Sequence, residues 1–298
     1  MKTMQGITTR AILAATFAYI LVAPVQAQEY QEGPFCQILD RTTDPIWTLH
    51  LGYTERADVK ATGGDDFGLF DIAAESGLLY LRTDYGDFDI GANFAMRVVL
   101  GDGGIDMPDQ FGQLNADIAW INRYYDGWAS LIQVSPGLYT DYEDISGEDF
   151  FMPFEVSLIR AFNDQASGQF GLRIFPDFDR SVDPIIGIRW ELSPDILLDL
   201  FYPDSRILFA VTRDLEAYAG FSIREYPEYQ LQKDDARDRF MFRESRAFVG
   251  INNAISDSTR VMIELGAAID REVEFDGPGG DADVDDALFI RIGLGGTI

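Results

Sequence analysis

From Phe88 to Leu100 the chain alternates with a period of two. Phe88, Ile90, Ala92, Phe94, Met96, Val98 and Leu100 fall on one face, and Asp89, Gly91, Asn93, Ala95, Arg97 and Val99 on the other. Successive side chains of a strand point to opposite faces, so this is a strand with one oily face and one that tolerates water and charge. The same split recurs where Trp47, Leu49, Leu51 and Tyr53 alternate with Thr48, His50, Gly52 and Thr54. At the far end Leu288, Ile290, Ile292 and Leu294 alternate with Phe289, Arg291, Gly293 and Gly295.

About fourteen segments carry the pattern: 46–56, 67–81, 87–100, 113–123, 128–139, 153–162, 168–175, 184–192, 195–202, 205–212, 216–226, 239–251, 259–275 and 286–298. Short turns, among them Tyr125-Asp126-Gly127, Ser193-Pro194 and Ser256-Asp257-Ser258, alternate with Gly- and Asp-rich loops at 57–66, 101–112, 140–152, 176–183, 227–238 and 276–285. An even strand number with short turns on one side and long loops on the other is the habit of bacterial outer-membrane barrels. Tyr202-Pro203-Asp204-Ser205 is short where a long loop is expected, and the segments within 184–212 are brief. The expected fold is therefore all-β, a single antiparallel up-and-down transmembrane β-barrel of about 12–14 strands.

A soluble β-sandwich also alternates. Two features favour the barrel. Several segments exceed the usual strand length and match the ~9–11 residues needed to cross a bilayer at a tilt. Aromatics such as Trp47, Tyr80, Phe88, Trp120, Trp128, Trp190 and Tyr202 fall near segment ends, where interfacial girdles form.

The first residues change the picture from a barrel to an exported barrel. Lys2 and Arg10 precede an apolar run from Ala11 to Ala23, then Pro24-Val25-Gln26-Ala27, which reads as a signal peptide over 1–27. Residues 28–45 read as an extended lead-in and 46–298 as the barrel, one domain without internal repeats. No later window is apolar enough to cross a bilayer as a helix.

With 23 Lys+Arg against 50 Asp+Glu and a net charge of −27, the chain is no nucleic-acid binder. Cys36 is the single cysteine, so it forms no intramolecular disulfide. One cysteine and one histidine supply too few ligands for a His/Cys metal site, and nothing calls for a cofactor. Asp281-Ala282-Asp283-Val284-Asp285-Asp286 starts like a calcium loop, but Asp286 stands where glycine is needed and Ile292 where a bidentate Glu is needed. A solvated loop accounts for it better. Gly63-Gly64 and Gly101 to Gly104 lack a following helix or lysine and read as loop glycines.

With the apolar stripe toward lipid, the opposite face lines the interior and carries Glu75, Arg97, Arg173, Arg189, Glu191, Asp199, Glu264 and Arg291. In a narrow barrel these pair into a plug; in a wider one they face water and bias the passage of ions. About fourteen strands give room for a lumen. A hydrolase would have to use His50, which has no serine or carboxylate near it on its own strand face.

Val134-Ser135-Pro136-Gly137-Leu138-Tyr139-Thr140-Asp141, Pro184 to Asp195, Leu200 to Arg206 and the strand Glu216 to Tyr226 resemble the uncharacterised outer-membrane β-barrel families of Gram-negative bacteria that carry a domain-of-unknown-function label. The resemblance covers the middle third best. It implies a barrel in the outer membrane and supplies no activity. The final residue, Ile298, departs from the aromatic that usually ends such barrels. The expected partners are outer-membrane lipid and small solutes or ions, with oligomeric state open. Two functions stay open, a passive porin-like channel and a non-conducting barrel that anchors or binds through acidic loops 140–152 and 227–238. An outer-membrane hydrolase ranks third.

Overall fold

The computed structural model describes residues 46–60, 66–83, 85–101, 104–105, 107–142, 145–176, 182–225, 229–233, 236–275 and 281–297. The expected signal peptide, lead-in, Cys36 and Gly63-Gly64 lie outside them.

Fourteen antiparallel strands form one sheet. They are β1 (Trp47–Asp58), β2 (Asp66–Thr83), β3 (Gly86–Leu100), β4 (Gln110–Arg123), β5 (Trp128–Val134 and Gly137–Thr140), β6 (Phe150–Phe151 and Phe154–Asn163) and β7 (Ala166–Ile174). The ring continues through β8 (Val182–Ser193), β9 (Ile196–Tyr202), β10 (Asp204–Ala210), β11 (Leu215–Glu225), β12 (Ala236–Ser256), β13 (Thr259–Phe275) and β14 (Ala287–Gly296). Each pairs with the next, and the sheet closes because β1 pairs with β14 from Trp47↔Gly296 to Thr54↔Phe289. Closure rules out the sandwich.

β5 and β6 are each one strand in two pieces, because Pro136 and Pro153 have no N–H for the ladder. Their carbonyls still serve it: Ala116 N donates to the Pro136 oxygen and Ser135 N to the Pro153 oxygen. Strand length varies around the ring, from 7 residues in β9 and β10 to 21 in β12. β9 and β10 meet at Pro203, so the short connection read from the sequence is a tight turn.

Two expected loops are partly strand. Asp281-Ala282-Asp283-Val284-Asp285 alternates with period two, and Ala282–Val284 pairs with the end of β13. Ala282 and Val284 are buried while Asp281, Asp283 and Asp285 are exposed. Within 227–238, Tyr229–Lys233 folds back on the start of β12 as a hairpin, from Tyr229↔Phe240 to Lys233↔Ala236.

The outer face is apolar and exposed on almost every strand, for example at Leu51, Ile132, Val156, Leu172, Ile186, Val249, Leu265 and Ile290. Such a continuous band has no place in water and suits acyl chains. Phe88 stacks on Trp120 at 6.3 Å, and Trp128 meets Phe170 edge-on at 6.4 Å, near the end with the short turns.

On the inner face, aromatic rings lie flat over glycines of neighbouring strands. Tyr218 on β11 covers Gly250 on β12, and Phe201 on β9 covers Gly187 on β8; a Cβ at either glycine would overlap the ring. Such pairs pin register while saving interior space. Gly250→Val will lower stability by about 1–3 kcal/mol through overpacking, read as an earlier urea midpoint of the compact gel band in detergent.

Candidate functional site

The strand parity that turns the apolar band outward turns the polar residues into the barrel, and there they form three groups.

The first lies on β10 to β14. Glu264 is fully buried and accepts hydrogen bonds from Tyr218 Oη at 3.1 Å and from Arg291 Nε at 3.0 Å. Tyr218, Phe248, Ala268 and Phe289 form a buried cluster on the same strands. The Arg206 guanidinium sits 5.7 and 5.6 Å from the Tyr218 and Phe248 ring centres, and that of Arg246 lies 4.8 Å from Phe289.

The second crosses the interior. Arg97 on β3 bridges Asp71 on β2 at 3.2 Å, and Arg246 on β12 reaches the same Asp71 at 3.4 Å. Arg246 Nε donates to Glu244 at 2.6 Å, and Arg271 on β13 approaches Glu244 at 3.6 Å. Glu244, Arg246 and Arg271 are nearly inaccessible to water, so each charge depends on its partners.

The third runs along β6 to β10 and is more open. Glu155 pairs with Arg173 at 3.1 Å. In register, Arg173 stands opposite Asp183, and Asp199 stands between Arg189 and Arg206. Carboxylates and guanidiniums thus alternate from strand to strand. Asp117, between this group and the second, accepts from Asn93, from Asn115 at 3.1 Å and from Ser135 at 2.6 Å.

At the loop end the inner face turns aromatic. Phe67, Phe111, Tyr229, Phe240 and Phe242 are essentially fully buried in one cluster with Tyr139 and Phe151. Phe111 on β4 and Phe240 on β12 are 5.0 Å apart edge-on, although five strands separate β4 from β12 one way round and seven the other. A round fourteen-stranded barrel would be roughly 28 Å across at ~4.8 Å strand spacing and ~40° tilt. Two phenylalanines in contact span only about 13 Å between their Cα atoms. The walls are therefore drawn together here, and Phe67 touches Phe242 across the same gap at 5.7 Å. Beside the cluster, burial and the neighbouring Tyr229 push the Tyr142 phenol up, so it adds no charge at ordinary pH.

The eight residues singled out from the sequence fall in different places. Arg97 belongs to the cross-barrel group, Glu264 and Arg291 to the first, and Arg173, Arg189 and Asp199 to the open ladder. Glu191 is exposed near the short-turn end opposite Leu197, and Glu75 is exposed between Thr48 and Asn93. Asp71, Glu155, Glu244, Arg246, Arg271 and Tyr229 were missed. Glu244 and Arg246 share the parity of Phe240, Phe242 and Phe248, which was signal enough. Arg271 was not legible, because Asp270 takes a positive φ of 54° and shifts the parity of β13.

His50 stands in register between Ala73 and Gly293, neither of which carries a hydroxyl or carboxylate. A recess of about 430 Å³ at the loop end is lined by Lys60, Glu272, Asp281 and Asp283. Among the described residues no group of acidic, histidine or cysteine side chains is arranged to hold a metal ion.

Residues 106–278 match a family described as a domain of unknown function, DUF6268. The match spans more than half of the 298 residues, and the chain belongs to that family. No curated protein matches the sequence. Among solved structures, the chain is similar to an outer membrane channel from Pseudomonas putida F1, at 11% identity and a TM-score of 0.42 over 92% of this chain and 100% of that one. It is also similar to the NanC porin, at 8% identity and 0.41 over 85% and 100%, and to the KdgM porin in complex with disordered oligogalacturonate, at 8% and 0.37 over 84% and 99%. These likenesses are too distant to carry argument, and the barrel rests on its own strand pairing.

Removing Glu264 takes from Arg291 its buried carboxylate partner. Glu264→Leu will cost roughly 3 kcal/mol, and the double variant Glu264→Leu/Arg291→Met will recover much of that loss. Additive losses in a chemical-unfolding cycle would show that the two side chains are not coupled.

Proposed function

We propose that this DUF6268 member is an outer-membrane pore for small ions and polar solutes, closed at its loop end in the conformation described. The observation that carries this reading is the half-exposed ladder of Arg173, Asp183, Arg189, Asp199 and Arg206 along the inner face of β7 to β10, with the buried Glu155 of β6 paired to its first arginine. A structural plug calls for buried pairs, as around Glu264, whereas these charges stand open toward the interior. Both signs are present, which suits a pore of weak selectivity. In this reading residues 1–27 are a removed export signal, 28–45 a lead-in, the short turns face the periplasm and the long loops the outside. Glu75, Arg97, Glu191, Glu264 and Arg291 then complete the lining and its pairs.

A second reading, a non-conducting barrel that anchors or binds through its loops, draws on the aromatic contacts across the loop end. Planar-bilayer recording of the mature chain, refolded in detergent and checked by heat-modifiable gel mobility, separates the two. The pore reading expects discrete steps at low open probability. Asp199→Asn will move the reversal potential in a KCl gradient toward that of chloride. A folded barrel that is silent under every condition, with its aromatic cluster dismantled as well, would be the anchor.

A further inference from the structure

Resting on the pore reading, we propose that Phe201 and the polar side chains around it on the inner wall of β7 to β10 are a binding site for neutral saccharides, the ring stacking on a sugar and the flanking groups taking its hydroxyls.

Phe201 stands opposite Gly187 in the register of β8 and β9, and its ring is laid over that glycine, where a Cβ would overlap Cγ and Cδ1. One face of the ring is therefore taken up by the wall. The residue keeps partial exposure all the same, and among the described residues no second ring stacks on it. Tyr218 covers Gly250 in the same manner, but it is buried against Phe248 and donates to Glu264. Phe201 thus turns a flat apolar face to the interior. The face of an aromatic ring is its electron-rich side, so the C–H face of a sugar ring matches it in shape and in polarity.

The groups that flank the ring are polar and planar. On the side away from Phe201, Gly187 faces Gln169 of β7, whose Nε2 donates to Ser157 Oγ at 2.9 Å. Two residues along the strands, on the same face, Arg189 of β8 stands opposite Asp199 of β9, and Arg206 of β10 stands on the other side of Asp199. Gln169, Arg189, Asp199 and Arg206 all keep partial exposure. Same-face neighbours lie about 6.6 Å apart along a strand and ~4.8 Å apart across strands, so a sugar seated on Phe201 brings its rim hydroxyls to these groups. A carboxylate accepts two parallel hydrogen bonds and a guanidinium donates two, which suits adjacent hydroxyls.

Charge decides between ligands. With Arg189 and Arg206 on either side of Asp199, a solute of either net charge meets its like within one strand of the ring. An uncharged solute with many hydroxyls meets no such cost.

The test uses the mature chain in a detergent without a sugar headgroup. It is titrated with maltotetraose, cellotetraose and mannotetraose by saturation-transfer NMR, and the same sugars are added during bilayer recording. At least one is expected to receive saturation at its ring C–H protons and to interrupt the ion current in proportion to its concentration. Phe201→Leu keeps an apolar cover on Gly187 without the aromatic face and is expected to weaken binding about tenfold. Phe201→Trp is expected to retain it, and Asp199→Asn to weaken it several-fold. If the barrel conducts and none of the three sugars binds, or if Phe201→Leu binds as well as the wild type, the saccharide site is overturned and the pore reading stands. Tighter binding of choline or glucuronate than of any sugar overturns the ligand class. Saccharide binding that Phe201→Leu weakens, on a barrel that never conducts, upholds the site and overturns the pore.

Discussion

A backbone amide inside a bilayer has no water to bond with, and every one left unpaired costs several kcal/mol. That requirement decides this molecule. Fourteen amphipathic strands could form an open sheet in water, but in lipid the first must find the last, and Trp47 to Thr54 does so against Phe289 to Gly296. Once the ring is closed the side chains have no further choice of face. One parity meets acyl chains and the other meets whatever the ring encloses.

What it encloses differs around the ring and along its axis. On the side of β7 to β10, charges of alternating sign keep some access to water. Toward β12 to β14 and β2 to β3, arginines and carboxylates are buried in mutual contact, with Glu264 and Glu244 wholly covered. At the loop end the filling is aromatic. The order from open ladder to buried pairs to rings follows from how closely the walls approach, because a gap too narrow for water must be filled by partnered charges or by carbon.

The period-two signal located all fourteen strands, since a half-buried strand cannot avoid writing that pattern. It located the loops less well. Asp281 to Asp285 looked solvated because each second residue is acidic, yet the intervening Ala282 and Val284 are the ones the fold uses. For the interior, parity named residues on the correct side of a wall without naming their partners. Arg97 and Arg246 converge on Asp71 from strands far apart in the chain, and Phe111 meets Phe240 only because the ring is pinched. Contacts across a barrel depend on its shape, which no single strand encodes. The bulge at Asp270 defeated parity itself, hiding Arg271 on what counted as the lipid side.

The unequal strands have a consequence for the bilayer as well as for the protein. At ~3.3 Å per residue and ~40° tilt, the seven-residue β9 and β10 rise only about 18 Å along the barrel axis, against an apolar band of roughly 25 Å in typical outer-membrane barrels. Lipid beside β9 and β10 has to thin, or the whole barrel has to lean toward that side. Either response makes the surrounding membrane asymmetric, so that the protein has a preferred side in the plane of the bilayer. Neighbouring barrels with a matching low wall would relieve the same deformation by sharing it.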